Sequence, residues 1–226
     1  MNVAVLLAAG SGTRMGESIS KQFIKVKGLE LFLYSLMTFA GCKAVQKIIM
    51  VTKKDDIEMM KQIIKEHDLE KKIMDVIPGG ECREESVKNA IDYLNVQKHV
   101  KNPIVIIHDV ARPLVNEEII LNNIVMGGEF NGAVTAIPAS DSILAGETVV
   151  DNELDRNRIW LAQTPQTFRL DILKKAFEKP FDKATDDCGM VINIGVKPTI
   201  VLGSKKNFKI TTKEDLVLLE AYLDQR

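Results

Sequence analysis

The sequence predicts an open three-layer α/β/α sandwich built on a mostly parallel sheet. Three observations carry that reading. Short, wholly apolar runs alternate along the chain with amphipathic helical patterns, which is the rhythm of βαβ units. The runs are undiluted by polar residues, as strands covered on both faces are. Glycine-rich and charged clusters then recur at the carboxyl ends of those runs, the edge at which open α/β sheets bind ligands.

The elements follow in order. Val3-Ala4-Val5-Leu6-Leu7 reads as the first buried strand. Residues 29–39 are apolar nearly all round and read as a buried helix. Lys47-Ile48-Ile49-Met50-Val51 is the second strand, and Ile57, Met60 and Ile64 mark one face of the next helix. Residues 73–77 form a third strand, closed by Pro78-Gly79-Gly80. Val87, Ala90, Ile91 and Leu94 fall at i, i+3, i+4 and i+7, an amphipathic helix. A fourth strand over 103–107 ends in His108-Asp109, Pro113 breaks the chain, and a helix covers roughly 116–126. Residues 132–137 are the fifth strand. From 138 to about 164 the rhythm stops, with Val149-Val150 and Ile159-Trp160-Leu161 as short strands. A structureless loop of that length is uncommon, so a protruding β-arm is expected there. Helices near 170–177 and 186–192 and a sixth strand over 198–202 follow. Thr211-x-x-Glu214 reads as a capping box opening a last helix, with Val217, Leu218, Ala221 and Tyr222 on one face. With no repeat or linker, residues 1–226 are expected to form one domain.

Composition narrows the function. Thirty basic against 31 acidic residues give a net charge of −1, which removes any global electrostatic case for nucleic acid or an anionic membrane. No apolar run approaches the roughly 20 residues that span a bilayer. No basic segment precedes the first strand, so no signal peptide is expected and the protein is placed in the cytoplasm. Cys42, Cys82 and Cys188 form no C-x-x-C pair, and with three histidines a structural zinc site is not expected.

The chemistry gathers after the first strand, in Ala8-Ala9-Gly10-Ser11-Gly12-Thr13-Arg14-Met15-Gly16, followed by Lys21. Glycines let backbone amides approach a ligand, and such a loop can cradle phosphate oxygens. Arg14 adds a rigid fork of donors and Lys21 a compact charge. The spacing matches neither G-x-G-x-x-G nor G-x-x-x-x-G-K-[ST]. An ordinary strand–turn joint with solvated Arg14 and Lys21 is the other reading of this loop alone. Further polar clusters stand at 79–86, 108–113, 138–142, 163–166, 185–187 and 207–211. Taken singly, Gly79-Gly80 is a turn, Ser86 lies on a solvated helical turn, Asp109 caps a helix, Arg112 pairs at the surface, and His108 is structural rather than a base.

In order, Leu-Ala-Ala-Gly-Ser-Gly-Thr-Arg-Met-Gly, Lys21-Gln22, Gly-Gly with Arg83 and Ser86, His-Asp-Val-Ala-Arg-Pro, Asp155-Arg156-Asn157 before Trp160, Thr-Pro-Gln-Thr-Phe and Asn-Phe-Lys-Ile-Thr resemble the 2-C-methyl-D-erythritol 4-phosphate cytidylyltransferase family along the whole chain. Ribitol-5-phosphate cytidylyltransferases are close relatives of that family. The resemblance implies a Rossmann-like nucleotidyltransferase sheet that joins CTP to a polyol phosphate, and a homodimer formed through an arm at about 138–164. It implies nucleotide binding by Ala8, Ala9, Gly10, Ser11, Gly12, Gly80 and Ser86. Arg14, Lys21 and Lys209 become the catalytic cations. Asp109, Arg112, Ser142, Thr164 and Lys209 would surround the sugar phosphate, with Arg156 reaching in from the partner subunit. Mg²⁺ is implied as cofactor, held mainly by CTP phosphates rather than by protein ligands. Two positions depart from the family pattern: Ser20 stands where proline is usual, and Ser142 where threonine is usual. The ribitol reading and a non-catalytic nucleotide sensor are the alternatives. Cations at both Lys21 and Lys209 argue against the sensor.

Overall fold

The computed structural model describes residues 1–10, 20–97, 100–179 and 186–225. Strand β1 (Asn2–Leu7) is followed by a small hairpin of β2 (Lys25–Val26) and β3 (Leu29–Glu30), then α1 (Leu31–Gly41), β4 (Lys47–Thr52), α2 (Ile57–Glu66) and β5 (Ile73–Pro78). The chain continues through α3 (Arg83–Val96), β6 (Ile104–Asp109), α4 (Glu117–Glu129) and β7 (Ala133–Pro138). A second hairpin, β8 (Ile143–Gly146) and β9 (Val150–Leu154), precedes β10 (Trp160–Arg169), α5 (Leu170–Phe177), α6 (Asp187–Ile192), β11 (Thr199–Leu202) and α7 (Lys213–Leu223).

Among the described residues seven strands form the main sheet, in the order β11-β7-β10-β6-β1-β4-β5. β1 lies in its interior, third from the β5 edge, parallel to β4 on one side and β6 on the other. Alternation along β1 explains the three layers. Val3, Val5 and Leu7 pack into one core with residues of α3, α5 and α6, while Ala4 and Leu6 pack into the other with α1, α2 and α4. A strand buried on both faces must be apolar at its covered positions, as Val3 to Leu7 of β1 are. The chain winds outward from β1 to β4 and β5, then returns to start the other half with β6. The strand order therefore reverses beside β1, and the carboxyl ends of β1 and β6 flank that switch point.

The structure departs from the sequence reading in three places. The helix expected from residue 29 begins at Leu31. Lys27 and Gly28 both have positive φ, 49° and 86°, and turn the chain tightly enough to pair Lys25–Val26 with Leu29–Glu30. The last cap lies one residue later than Thr211-x-x-Glu214: Thr212 is the N-cap, and Asp215 accepts from the backbone N–H groups of Thr211 and Thr212. The buried face of that helix also differs. Leu219 is buried, with Leu216, Tyr222 and Leu223 packed beside it, whereas Val217, Leu218 and Ala221 are exposed.

The third departure is β10. Residues 163–166 were expected to be a polar cluster at the sheet edge, following a short strand over 159–161. The strand instead runs antiparallel between β7 and β6 in the middle of the sheet. Gln163, Thr164 and Gln166, buried polar residues of the strand, find internal partners. Asn207 donates to Gln163 Oε1 at 3.0 Å, and Gln166 donates to Asp186 at 2.8 Å. Pro165 falls where the register against β7 shifts, between Ala162 and Gln166, so its missing N–H breaks no regular ladder. β8 and β9 pair only with each other, apart from the main sheet, with every residue of β9 exposed.

Candidate active site

The carboxyl ends of β1, β4, β5 and β6 enclose a pocket of about 480 Å³. At the end of β1, Ala8 donates to Val51 O at 2.7 Å, which carries the strand pairing one residue further before Ala9 and Gly10 turn into the pocket wall. The β5 end passes close beside it. A Cβ on Gly79 would come within 2.6 Å of Ala9 Cβ and 2.8 Å of Ser86 Oγ, so the approach requires glycine. Gly80 N–H donates to Ser86 Oγ at 3.1 Å, and that hydroxyl donates to Cys82 O at 3.0 Å. Ser86 is buried and locks the turn into α3 while lining the pocket.

The end of β6 carries the electrostatic centre. Asp109 Oδ2 accepts from Lys209 Nζ at 2.6 Å, and Oδ1 accepts from Arg83 Nε at 3.1 Å. Arg83 also donates through both terminal nitrogens to Asp187, at 3.0 and 2.7 Å, a bidentate pair on a fully buried carboxylate. Burial alone would push the Asp109 carboxyl up; Arg83 and Lys209, with Arg112 behind them, hold it well below the usual carboxylate range. Burial likewise pushes Asp187 up, and the Arg83 fork opposes it. Arg83 is half-buried between two carboxylates that outweigh its desolvation and keep it charged.

Behind this centre lies a neutral relay. His108 is fully buried against Phe39, with ring centroids 5.1 Å apart. Its Nε2 is 3.2 Å from Arg112 O, an atom that only accepts, so Nε2 carries the proton. Nδ1 then accepts from the Thr164 hydroxyl at 3.1 Å, and that oxygen accepts from Asp109 N–H at 3.1 Å. Burial pushes His108 down to about 4. It is a support under Asp109 and does not line the pocket.

The pocket brings together Ala8, Ala9, Gly10, Lys21, Gly80, Ser86, Asp109 and Lys209. Ser11, Gly12 and Arg14 lie outside the described residues. The remaining sequence candidates are not in its wall. Thr164 has its hydroxyl committed beneath Asp109. Arg112 donates to Asn207 O at 2.9 Å, and its buried Nε has no partner among the described residues. Ser142 and Arg156 are exposed, with Arg156 donating to Ser140 O at 3.0 Å. Sequence reasoning assigned no role to Arg83 or to Lys53, which also lines the pocket. Arg83 stood in a noted cluster, but its partner Asp187 is 104 residues away and nothing local pairs them.

The chain matches the 2-C-methyl-D-erythritol 4-phosphate cytidylyltransferase family over residues 2–225. The chain belongs to that family. It is 39% identical over 222 residues to the 2-C-methyl-D-erythritol 4-phosphate cytidylyltransferase of Thermosipho melanesiensis, covering 97% of this chain and 96% of that protein. The crystal structure of 4-diphosphocytidyl-2C-methyl-D-erythritol synthase from Anaerococcus prevotii superposes with a TM-score of 0.84 at 30% identity, covering 100% of this chain and 96% of that one. The ribitol-5-phosphate cytidylyltransferase of Lacticaseibacillus paracasei is also similar, 34% identical over 235 residues, covering 100% of this chain and 99% of that protein. As a member of the 2-C-methyl-D-erythritol 4-phosphate cytidylyltransferase family the chain is an enzyme, a nucleotidyltransferase. For such an enzyme the pocket has the right sign: Lys21, Lys53, Arg83 and Lys209 line it against two carboxylates, Glu81 and Asp109.

Proposed function

We propose that the protein joins CTP to 2-C-methyl-D-erythritol 4-phosphate, giving 4-diphosphocytidyl-2-C-methyl-D-erythritol and pyrophosphate, a step of non-mevalonate isoprenoid synthesis. The observation that carries the reading is the cationic pocket at the switch point of a chain of this family. An oxygen of the sugar phosphate attacks the α-phosphorus of CTP in line. The new P–O bond forms as the bond to the bridging oxygen of pyrophosphate breaks. The nucleophile is already anionic, so no general base is needed, in keeping with a His108 that is buried and neutral.

The barrier is the approach of two polyanions and the charge on the transferring phosphorus. Fixed cations and positioning lower it. In this reading Lys21 and Arg14 meet the triphosphate, Gly80 and Ser86 read the cytosine, and Lys209 leaves Asp109 for the incoming phosphate. Asp109 remains anchored by Arg83 and accepts a polyol hydroxyl. Among the described residues no group of three or more His, Cys, Asp or Glu could hold a metal. Asp109, already engaged by two cations, is a poor ligand. That donor set fits Mg²⁺ carried on the triphosphate, where it would neutralise phosphate charge.

We read the enzyme as a cytoplasmic homodimer in which β8, β9 and the segment after them reach a second copy, bringing Arg156 to the partner's sugar phosphate. The exposed apolar side chains of Leu144, Val149, Val150 and Leu161 support a covered surface there. No helix of the described residues is long and apolar enough to cross a membrane.

Pyrophosphate release from CTP, measured with each sugar phosphate, tests the proposal. The methylerythritol phosphate should be preferred over D-ribitol 5-phosphate by roughly tens-fold in kcat/KM, since a methyl-sized difference is worth about 1–3 kcal/mol. In this reading the polyol extends beyond the pocket of one chain toward the exposed Ser142, which lacks the family's methyl, so Ser142→Thr should sharpen the preference. Equal or better turnover of ribitol phosphate overturns the substrate, and release with neither overturns the reaction.

A further inference from the structure

We propose that Lys53 is a further phosphate-binding residue for the nucleotide, held in place by Ser20. The inference rests on the cytidylyltransferase reading of the pocket and adds a contact to it. Lys53 follows the carboxyl end of β4, the neighbour of β1. Because Ala8 N–H bonds to Val51 O, the chain at Lys53 comes alongside Ala9 and Gly10, and Lys53 lines the same pocket as they do. Its Nζ donates to Ser20 Oγ at 3.2 Å.

The partner is what distinguishes this lysine. Lys209 and Arg83 already face carboxylates. Lys53 forms no ion pair with a carboxylate of the described residues; a neutral hydroxyl holds it without cancelling its charge. An ammonium has three donors, so two remain for anionic oxygens. Lys53 also stands on the β4 and β5 side of β1, with Gly80 and Ser86, while Asp109 and Lys209 stand on the β6 side. That placement assigns it to the nucleotide's phosphates rather than to the sugar phosphate. Ser20 acts through Lys53 and is a positioning residue.

CTP and cytidine binding are measured by calorimetry on the unmodified enzyme and on Lys53→Met, Lys53→Arg, Ser20→Ala and Ser20→Thr, with KM for each substrate in parallel. Loss of one charge-assisted bond should weaken CTP about tenfold in Lys53→Met. Cytidine affinity and KM for the sugar phosphate should not move. Lys53→Arg and Ser20→Thr should keep most of the affinity, and Ser20→Ala should lose part of it, about two- to threefold. Unchanged CTP affinity in Lys53→Met overturns the proposal. So does an equal loss for cytidine, which would mean a distorted base site. Failure of Lys53→Arg to retain binding while its unfolding midpoint is normal also overturns it. If the unmodified enzyme neither binds nor turns over CTP, the cytidylyltransferase reading itself falls, an outcome separate from any behaviour of the variants.

Discussion

Lys21 donates to the carbonyl of Ile210 at 2.7 Å, which sets its ammonium beside the segment that carries Lys209. Under the proposed mechanism a cation placed there would meet charge that grows during transfer. Lys21→Ala should therefore lower kcat by on the order of 10²–10³-fold while CTP affinity changes far less. Steady-state kinetics beside calorimetry decide it; a normal kcat with only a raised KM would show uniform binding instead. His108 governs a different quantity. In the fold it stays neutral down to about 4, whereas in the unfolded chain it takes up a proton near the ordinary histidine value. Its contribution is complete above about pH 6.5 and lost as pH falls to about 4, an expected loss of about 3 kcal/mol. Asp109, held below the usual carboxylate range, adds a loss at still lower pH as it is protonated. Thermal unfolding from pH 7 to 4 should fall steeply, and His108→Gln should flatten the upper part of that fall. An unchanged slope in the variant would assign the acid sensitivity elsewhere. The residue types at the site were legible because they cluster at strand ends. The Arg83–Asp187 pair was not, since two charges 104 residues apart carry no mutual signal in sequence.

At the scale of elements, hydrophobic periodicity located the buried parallel strands and most helices, because a strand covered on both faces admits only apolar residues. It failed at β10, whose Gln163, Thr164, Gln166 and Thr167 are buried but polar. Burial of the first three depends on partners contributed by other segments, among them Asn207, His108 and Asp186. It failed also on α7, where Leu216, Val217, Leu218 and Leu219 run consecutively and any of several faces fits the pattern. The structure selects Leu219, which is fully buried among Val26, Leu31, Leu114 and Ile210. Leu219→Ala should cost about 2–5 kcal/mol in chemical denaturation. Val217→Ala, at an exposed position, should change stability by less than about 0.5 kcal/mol. Equal effects of the two substitutions would return the buried face to the one read from sequence.

For the whole molecule the test concerns assembly. β7 and β10 are antiparallel neighbours, and their pairing reaches outward to Pro138 opposite Trp160. Everything between those two residues is therefore an insertion in a closed ladder, and its removal leaves the main sheet intact. Chains in which a short turn replaces residues 140–158 should fold yet sediment as monomers. Mixing Arg156→Ala with Lys209→Ala chains, each nearly inactive alone, should restore activity, because one site of the mixed dimer is intact. If heterodimers form and activity does not return, Arg156 does not serve a neighbouring site. The interior place of β1 has a consequence for biosynthesis. Residues 2–7 leave the ribosome before the other strands of the sheet, and β4 can pair with them early. The opposite edge of β1 waits for β6, about a hundred residues later, and β6 in turn waits for β10. A chain whose translation stalls between β5 and β6 thus presents an open strand, apolar from Val3 to Leu7, the kind of edge that nascent-chain chaperones must shield from other chains.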